Sequence, residues 1–264
     1  MNLNFSEEQV MLKETIQKFC DNDYDFYKRE EVIKSENDFD LNTWNLFAEQ
    51  GWLSMPFSED SGGFGMGPIE LSILFEEFGK ALVIEPYLST VVLSGTLIDN
   101  SSYEHKKDII ERICSGSLHI SLAYAEAKNS YNYNLPSTSL SSDLLLNGTK
   151  NLVLNGGNAN KLVVSCIHNE ELALVIVNAD KDGISMNTFP TVDGQSCAEI
   201  TFENVSINSE DVIGTGDNAI TLLNNSISLA TLCVSAEAVG CMSSCYLKTV
   251  AYTKEREQFG QPIS

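Results

Sequence analysis

The sequence predicts an α+β multidomain chain: a helical first segment, a β domain, then one long helix. Three observations lead there. Apolar residues recur at three- and four-residue spacing up to about residue 118. Between about 119 and 213, short runs rich in Val, Ile, Leu and Thr alternate with turns. From Gly216 the helical period returns, and Ile220 to Tyr252 carries no Pro and no Gly except Gly240. Runs segregated in this way suit α+β or separate domains better than alternating βαβ units.

The elements follow in order. Ser6-Glu7-Glu8-Gln9 is a capping-box pattern, and Val10, Leu12, Ile16 and Phe19 continue it as a helix. A second helix is expected from Leu41 to Gln50, closed by Gly51. Ser61 to Pro68 is a glycine-dense turn. Ile69 to Gly79 reads as a helix that buries Leu71, Leu74, Phe75 and Phe78, and two more helices fit Tyr87 to Leu97 and Tyr103 to Cys114. Strand-like runs are 118–124, 144–146, 151–154, 162–166, 172–177 and 199–202. Asn147-Gly148 and Asn155-Gly156-Gly157 are hairpin-type signals between them.

Composition narrows the function classes. The 264 residues carry 37 acidic and 16 basic side chains, a formal charge of -21. Such a field repels nucleic acid and anionic membrane surfaces, so neither is expected as a partner. It also repels a polyanionic ligand unless cations gather locally. The start lacks a basic and an apolar region of secretory type, and no run approaches 18 consecutive apolar residues, so a cytosolic chain without a membrane span is expected. Seven cysteines, an odd number, read as free buried thiols, with Cys241 and Cys245 packed in the core rather than bound to metal. His105, His119 and His168 have no metal or triad spacing and read as bystanders. Gly62, Gly63, Gly65 and Gly67 read as a structural turn, since no Lys-Ser/Thr follows them as in a phosphate loop. Glu76-Glu77 reads as a solvated helix edge or a domain contact.

Four segments in this order resemble the acyl-CoA dehydrogenase family: Ser61 to Gly79 (SGGFGMGPIELSILFEEFG), Asn155 to Asn160 (NGGNAN), Phe202 to Gly214 (FENVSINSEDVIG) and Glu255 to Ile263 (EREQFGQPI). Asp23-Tyr24-Asp25-Phe26, Ala81 to Leu88 and Ala236-Glu237-Ala238-Val239-Gly240 resemble its small-subunit branch, of the pimeloyl-CoA and steroid type. The resemblance implies an acyl-CoA dehydrogenase-like fold. A helical N-terminal domain would span 1–118, a β-barrel-like middle domain 119–213, and the start of a C-terminal helical bundle 214–264, truncated in that last domain. It implies FAD as cofactor, an acyl-CoA thioester as ligand, and a homo-oligomer or a hetero-oligomer with a larger acyl-CoA dehydrogenase subunit. In that chemistry a carboxylate takes the proton beside the thioester carbonyl and the flavin takes the hydride.

The resemblance also implies which residues matter, and where this chain departs. Leu122, Tyr124, Ala125 and Glu126 match the loop beside flavin and CoA, a stretch that runs on through Lys128, Asn129, Ser130, Tyr131 and Asn132 with only the Glu kept. Glu126 itself reads as a structural loop residue rather than a catalytic carboxylate. Leu152, Val153 and Leu154 stand where the family has an aromatic residue and a hydroxyl beside the flavin ring. A base position on the long helix falls at or near Ala230, and no carboxylate occurs from Asn218 to Ala236. No catalytic residue is therefore assigned. Arg256, Gln258 and Phe259 match residues of the long helix that reach a partner's FAD, the Arg near its pyrophosphate; the alternative is an exposed helix charge. The function implied is a subunit or fragment of an FAD-dependent acyl-CoA dehydrogenase, inactive by itself. The alternative is a non-catalytic assembly subunit that lends Arg256 to a catalytic large subunit. Either way an oligomer is expected, because Ile227, Leu229, Leu232, Val234 and Val239 on the long helix require cover.

Overall fold

Residues 4–35, 38–128 and 132–264 are described by a computed structural model. Along the chain run helices α1 (Glu7–Asn22), α2 (Phe26–Lys34), α3 (Leu41–Glu49), α4 (Pro68–Ala81), a π-helical stretch (Leu88–Gly95), α5 (Thr96–Asp99) and α6 (Lys106–Cys114). Strands β1 (Ile120–Ala123), β2 (Ser139–Leu140), β3 (Leu145–Leu154), β4 (Lys161–His168), β5 (Glu171–Asn178), β6 (Ile184–Pro190), β7 (Ser196–Ser206) and β8 (Val212–Thr215) follow. Helix α7 (Gly216–Glu255) and a small hairpin, β9 (Glu257–Gln258) and β10 (Gln261–Pro262), complete it. The chain divides into two compact units: residues 1–31, 67–83 and 231–264, and residues 32–66 and 84–230.

The first unit is helical. The expected capping box is present: Gln9 N–H donates to Ser6 Oγ (3.2 Å) and Ser6 N–H to Gln9 Oε1 (2.9 Å). Helix α1 buries Ile16, Phe19 and Cys20, and α4 buries Leu71, Ile73, Leu74, Phe75 and Phe78. Gln9 Nε2 donates to Glu70 Oε1 (2.7 Å) between them. Glu77 corrects the solvated-edge reading. It is 1% exposed, held by Lys80 at 2.7 Å and Lys13 at 3.5 Å. Helix α4 meets the later half of α7 at two glycines. A methyl on Gly79 would collide with the Glu237 carbonyl oxygen, and one on Gly240 with that of Glu76. Only a residue without Cβ permits this approach. Cys245 is exposed and Cys241 half-buried, so the expected core packing fails for Cys245. The hydropathy period gave no sign of α2. Its apolar Phe26, Tyr27 and Ile33 are all exposed, so no buried stripe marks it.

In the second unit α3 buries Trp44 and Phe47, and Gly51 follows its C-cap at φ 75°, the left-handed turn the sequence implied. Trp44 Nε1 donates to the Gly116 carbonyl (3.2 Å). Where one α-helix was expected from Tyr87 to Leu97, the backbone is π-helical to Gly95, and Ser94 Oγ donates to the Ser89 carbonyl (2.8 Å). The β domain is a mixed sheet in the order β6-β7-β3-β2-β4-β5-β8, with β1 parallel to β4. Residues from β1 to β7, among them Leu146, Val164, Val175, Ile200 and Phe202, share one core, so the sheet wraps around it in a barrel-like way. Among the described residues no pairing joins the edge strands β6 and β8. Neither glycine signal makes a hairpin. Asn147-Gly148 lies inside β3, where β2 and β7 flank it and Thr138 occupies the space of a Gly148 side chain. Asn155 to Asn158 turns between β3 and β4, which are separated by β2. Runs 144–146 and 151–154 are thus one strand.

By length and composition alone α7 is apolar enough to cross a membrane, with a mean hydropathy of 1.4 in its most apolar window. A core helix of a globular protein passes the same test. Its apolar residues are unevenly covered: Leu223 and Cys233 are buried, Ile227 and Leu229 half-buried, and Leu232, Val234 and Val239 exposed.

Candidate functional site

The site grows from one end of β1. After Ala123 the chain leaves the sheet through Tyr124, Ala125 and Glu126, and the segment is stitched to β3. Asn151 N–H donates to the Ala125 carbonyl (2.8 Å), and Ala127 N–H donates to Asn151 Oδ1 (2.9 Å). Beneath lies a buried ion pair. Lys150 Nζ is 2.8 Å from Glu126 Oε1, with side-chain exposures of 0% and 6%. The same carboxylate accepts from Thr138 Oγ1 (2.7 Å), Thr138 N–H (3.0 Å) and Ser137 N–H (2.6 Å), while Lys150 also donates to Ser165 Oγ (3.1 Å). Burial pushes the Glu126 pKa up. Hydrogen bonds from Lys150 and Thr138, the Lys150 charge and Ser137 N–H outweigh it and hold the carboxyl down at about 2. Glu126 is therefore an ionised strut that fixes the loop, as the structural reading held, and it has little basicity left.

Lys150 is the residue that the sequence reading missed. Residues 146, 148 and 150 share a strand face, and Leu146 points into the core, so parity places Lys150 inward as well. An inward lysine needs a partner, and Glu126 is that partner.

The pairing of β3 with β7 shifts register between Lys150 and Val153, and Leu152 takes φ 52°. That bulge turns Leu152 out to 58% exposure while Val153 stays at 1% in the core. The structure thus brings Tyr124, Ala125 and Glu126 together with the segment that ends in Leu152, Val153 and Leu154. Leu122 is buried at 3% and Val153 at 1%, so neither presents a side chain to the surface. Tyr124 is half-buried, ring edge against Tyr133 at 5.9 Å. Burial raises its phenol pKa, with Tyr133 adding to the effect. Asn129, Ser130 and Tyr131 lie outside the described residues.

Arg256, Gln258 and Phe259 belong to the other unit. They were expected on the long helix, but α7 ends at Glu255 and they sit on the hairpin. Phe259 at φ 54° and Gly260 at φ 79° turn the chain back, which a helix cannot accommodate. Ile263 N–H closes the hairpin on the Arg256 carbonyl (3.0 Å). The Arg256 side chain is exposed and Phe259 is 100% exposed.

His119 lies in the interior. It is 9% exposed and packed between Phe39 and Trp44, each 5.0 Å away. Burial lowers its pKa to about 4. His168 Nδ1 contacts the Leu140 carbonyl (3.0 Å). Among the described residues no group of three or more His, Cys, Asp or Glu could hold a metal. The glycine turn holds Gly62 at φ 89° and Gly65 at φ 62°, and its N–H groups bond within the turn, as for Gly63 to the Ser58 carbonyl and Gly65 to the Phe57 carbonyl. It is structural, as expected.

Residues 6–117 match the family model described as acyl-CoA dehydrogenase, N-terminal domain. The chain is 27% identical to the mitochondrial isovaleryl-CoA dehydrogenase of Solanum tuberosum, over 99% of this chain and 67% of that protein. It superposes on a variant of the steroid ACAD designated Tcur3481-Tcur3483 with a TM-score of 0.86 and 25% identity, covering 97% of this chain and 69% of the other. The FAD complex of PigA has the same fold, with a TM-score of 0.90, 19% identity and coverage of 100% and 72%. Family model, relative and structures together support membership of the acyl-CoA dehydrogenase family, and the fold is that of the family. The chain spans about two thirds of the length of these proteins.

FAD is the cofactor this family implies, and the donor set at the loop can be tested against it. A flavin ring has polar edges that require N–H or O–H partners. Among the described side chains at this site, those of Ala125, Leu152 and Leu154 carry no donor, Asn151 Nδ2 is engaged by Glu199, and Tyr124 carries a hydroxyl. Glu126 faces inward and is saturated. Among the described residues, the side chains of this loop and strand do not fit a flavin ring.

Proposed function

We propose that the chain serves as a subunit of an FAD-dependent acyl-CoA dehydrogenase, inactive toward acyl-CoA by itself and of the small-subunit, steroid-type branch. One observation carries the reading: the loop carboxylate of Glu126 is buried and engaged by Lys150, Thr138 and Ser137, so it is not free to take a substrate proton. The resemblance puts a base position at or near Ala230, and no carboxylate occurs there from Asn218 to Ala236. The paired designation of the steroid ACAD supports a two-component arrangement. In it this chain contributes interface and Arg256 to the FAD site of a larger subunit. Leu232, Val239, Met242, Tyr246 and Leu247, exposed on the later half of α7, supply apolar surface for assembly.

Reconstitution with a candidate larger acyl-CoA dehydrogenase subunit tests this. A stable complex is expected by sedimentation, and Arg256→Ala is expected to weaken FAD retention by that complex while leaving assembly intact. A chain that stays monomeric with every such subunit, or a complex whose FAD affinity ignores Arg256→Ala, contradicts the proposal.

A further inference from the structure

The start of β4 offers donors that the loop site does not. Ile120 pairs with Lys161 in the parallel β1–β4 ladder, and Ala123 with Val164. Lys161 is therefore level with the beginning of β1, whereas Tyr124 to Glu126 leave its far end, about 10 Å away at the strand rise. Around Lys161 lies a cleft of about 450 Å³ lined by Arg112, Leu118, Asn160, Lys161, Asn178 and Asp180. A second hollow, about 300 Å³, adjoins it through Lys161, Asn178 and Asp180 and adds Lys181, Asn208 and Asp211. All of these residues belong to the second compact unit.

The hydrogen bonds around the cleft decide which atoms remain. Asn160 Oδ1 accepts from His119 N–H (2.9 Å), so its amide N–H groups are left to donate. Asn178 Oδ1 accepts from Lys161 Nζ (2.6 Å), so its amide nitrogen is left in the same way, and two further ammonium protons of Lys161 remain. Arg112, Lys161 and Lys181 make no ion pair among the described residues. Of the two carboxylates, Asp211 is engaged by Tyr103 Oη–H (3.2 Å) and Asn208 Nδ2 (2.8 Å), and Asp180 is exposed. The cleft thus sets two cations and two amides against Asp180, and the adjoining hollow adds Lys181 beside the already engaged Asp211. In a chain of net charge -21 with only 16 basic residues, such a local excess is out of keeping with its surroundings.

We infer that this cleft binds the phosphate group of a small anionic ligand. A guanidinium fork, an ammonium and two amide donors match the acceptor oxygens of a phosphoryl group, and charge-assisted contacts of this kind are the strong ones. The site is separate from the loop at Glu126 and does not rest on the proposed dehydrogenase assembly.

Calorimetric titration of the full chain with inorganic pyrophosphate is the test. Saturable binding at one site is expected. Arg112→Ala and Lys161→Gln should each weaken it by about tenfold or more, equivalent to about 1.4 kcal/mol. Asp180→Asn should tighten it, an effect that a purely structural role would not give. Lys18→Gln, an exposed lysine on α1, is the control and should change nothing. If either cleft variant does not fold by circular dichroism, the Asp180→Asn shift decides. Absence of saturable binding at millimolar pyrophosphate, or binding that cleft and control variants affect equally, overturns the inference.

Discussion

Replacing Lys150 with Met removes the cation beneath the candidate site and leaves its carboxylate behind. Lys150 has 0% side-chain exposure and Glu126 6%, with 2.8 Å between the charged atoms. Breaking a buried pair from one side typically costs about 3–5 kcal/mol, because the remaining charge stays desolvated. Thr138 Oγ1, Thr138 N–H and Ser137 N–H are among the donors that remain on Glu126. They offset part of the loss, so the expected cost is about 3 kcal/mol. Converting both residues, Glu126→Gln with Lys150→Met, removes the stranded charge and should recover most of it, with a coupling of about 2 kcal/mol. Urea unfolding followed by tryptophan fluorescence is the assay. Trp44 and Trp52 both lie in the same compact unit as the pair, so the signal reports the unit being perturbed. A Lys150→Met midpoint that corresponds to less than about 1 kcal/mol, or a double variant less stable than the single, would refute the reasoning.

His119 is buried neutral, its pKa lowered from 6.5 to about 4. A base whose folded pKa is depressed stabilises the fold fully above its unfolded value, so stability should decline as pH falls from 6.5 toward 4, and His119→Phe should flatten that decline. Glu126, depressed from 4.5 to about 2, gives a second loss in the window below pH 4.5, visible as a lower urea midpoint. Gly240→Ala should destabilise by about 1–3 kcal/mol in thermal unfolding, although Gly to Ala in an open helix stabilises by about 1 kcal/mol, because its methyl meets the Glu76 carbonyl. Purified chain should lose FAD on gel filtration; stoichiometric flavin retained through the column would contradict the reading of Leu152 and Leu154.

How much of this was legible beforehand depends on the physics of each element. Ser6-Glu7-Glu8-Gln9 and the Leu71, Leu74, Phe75, Phe78 stripe are local signals, and the helices they predict are present. Asn147-Gly148 carries the same kind of local signal but loses to tertiary context, since Thr138 and strand β7 hold it inside β3. The hairpin at Arg256 is a local event too. Its Phe259-Gly260 turn was overlooked because the segment was matched as a continuous helix. Glu126 was placed as a structural loop residue, and it is one, but its partner is 24 positions away and depends on strand parity through Gly148. The donor cleft at Lys161 was invisible for the same reason. Arg112, Lys161 and Asn178 converge only once β1 is laid parallel to β4.

The most direct test of the central claim is turnover. The purified chain, supplied with excess FAD and an artificial electron acceptor, is assayed against saturated acyl-CoA esters of several chain lengths. No dehydrogenation above a flavin-only control is expected, because Glu126 is held by Lys150 and Ala230 offers no base. Dehydrogenation of any acyl-CoA by the chain alone would contradict the account.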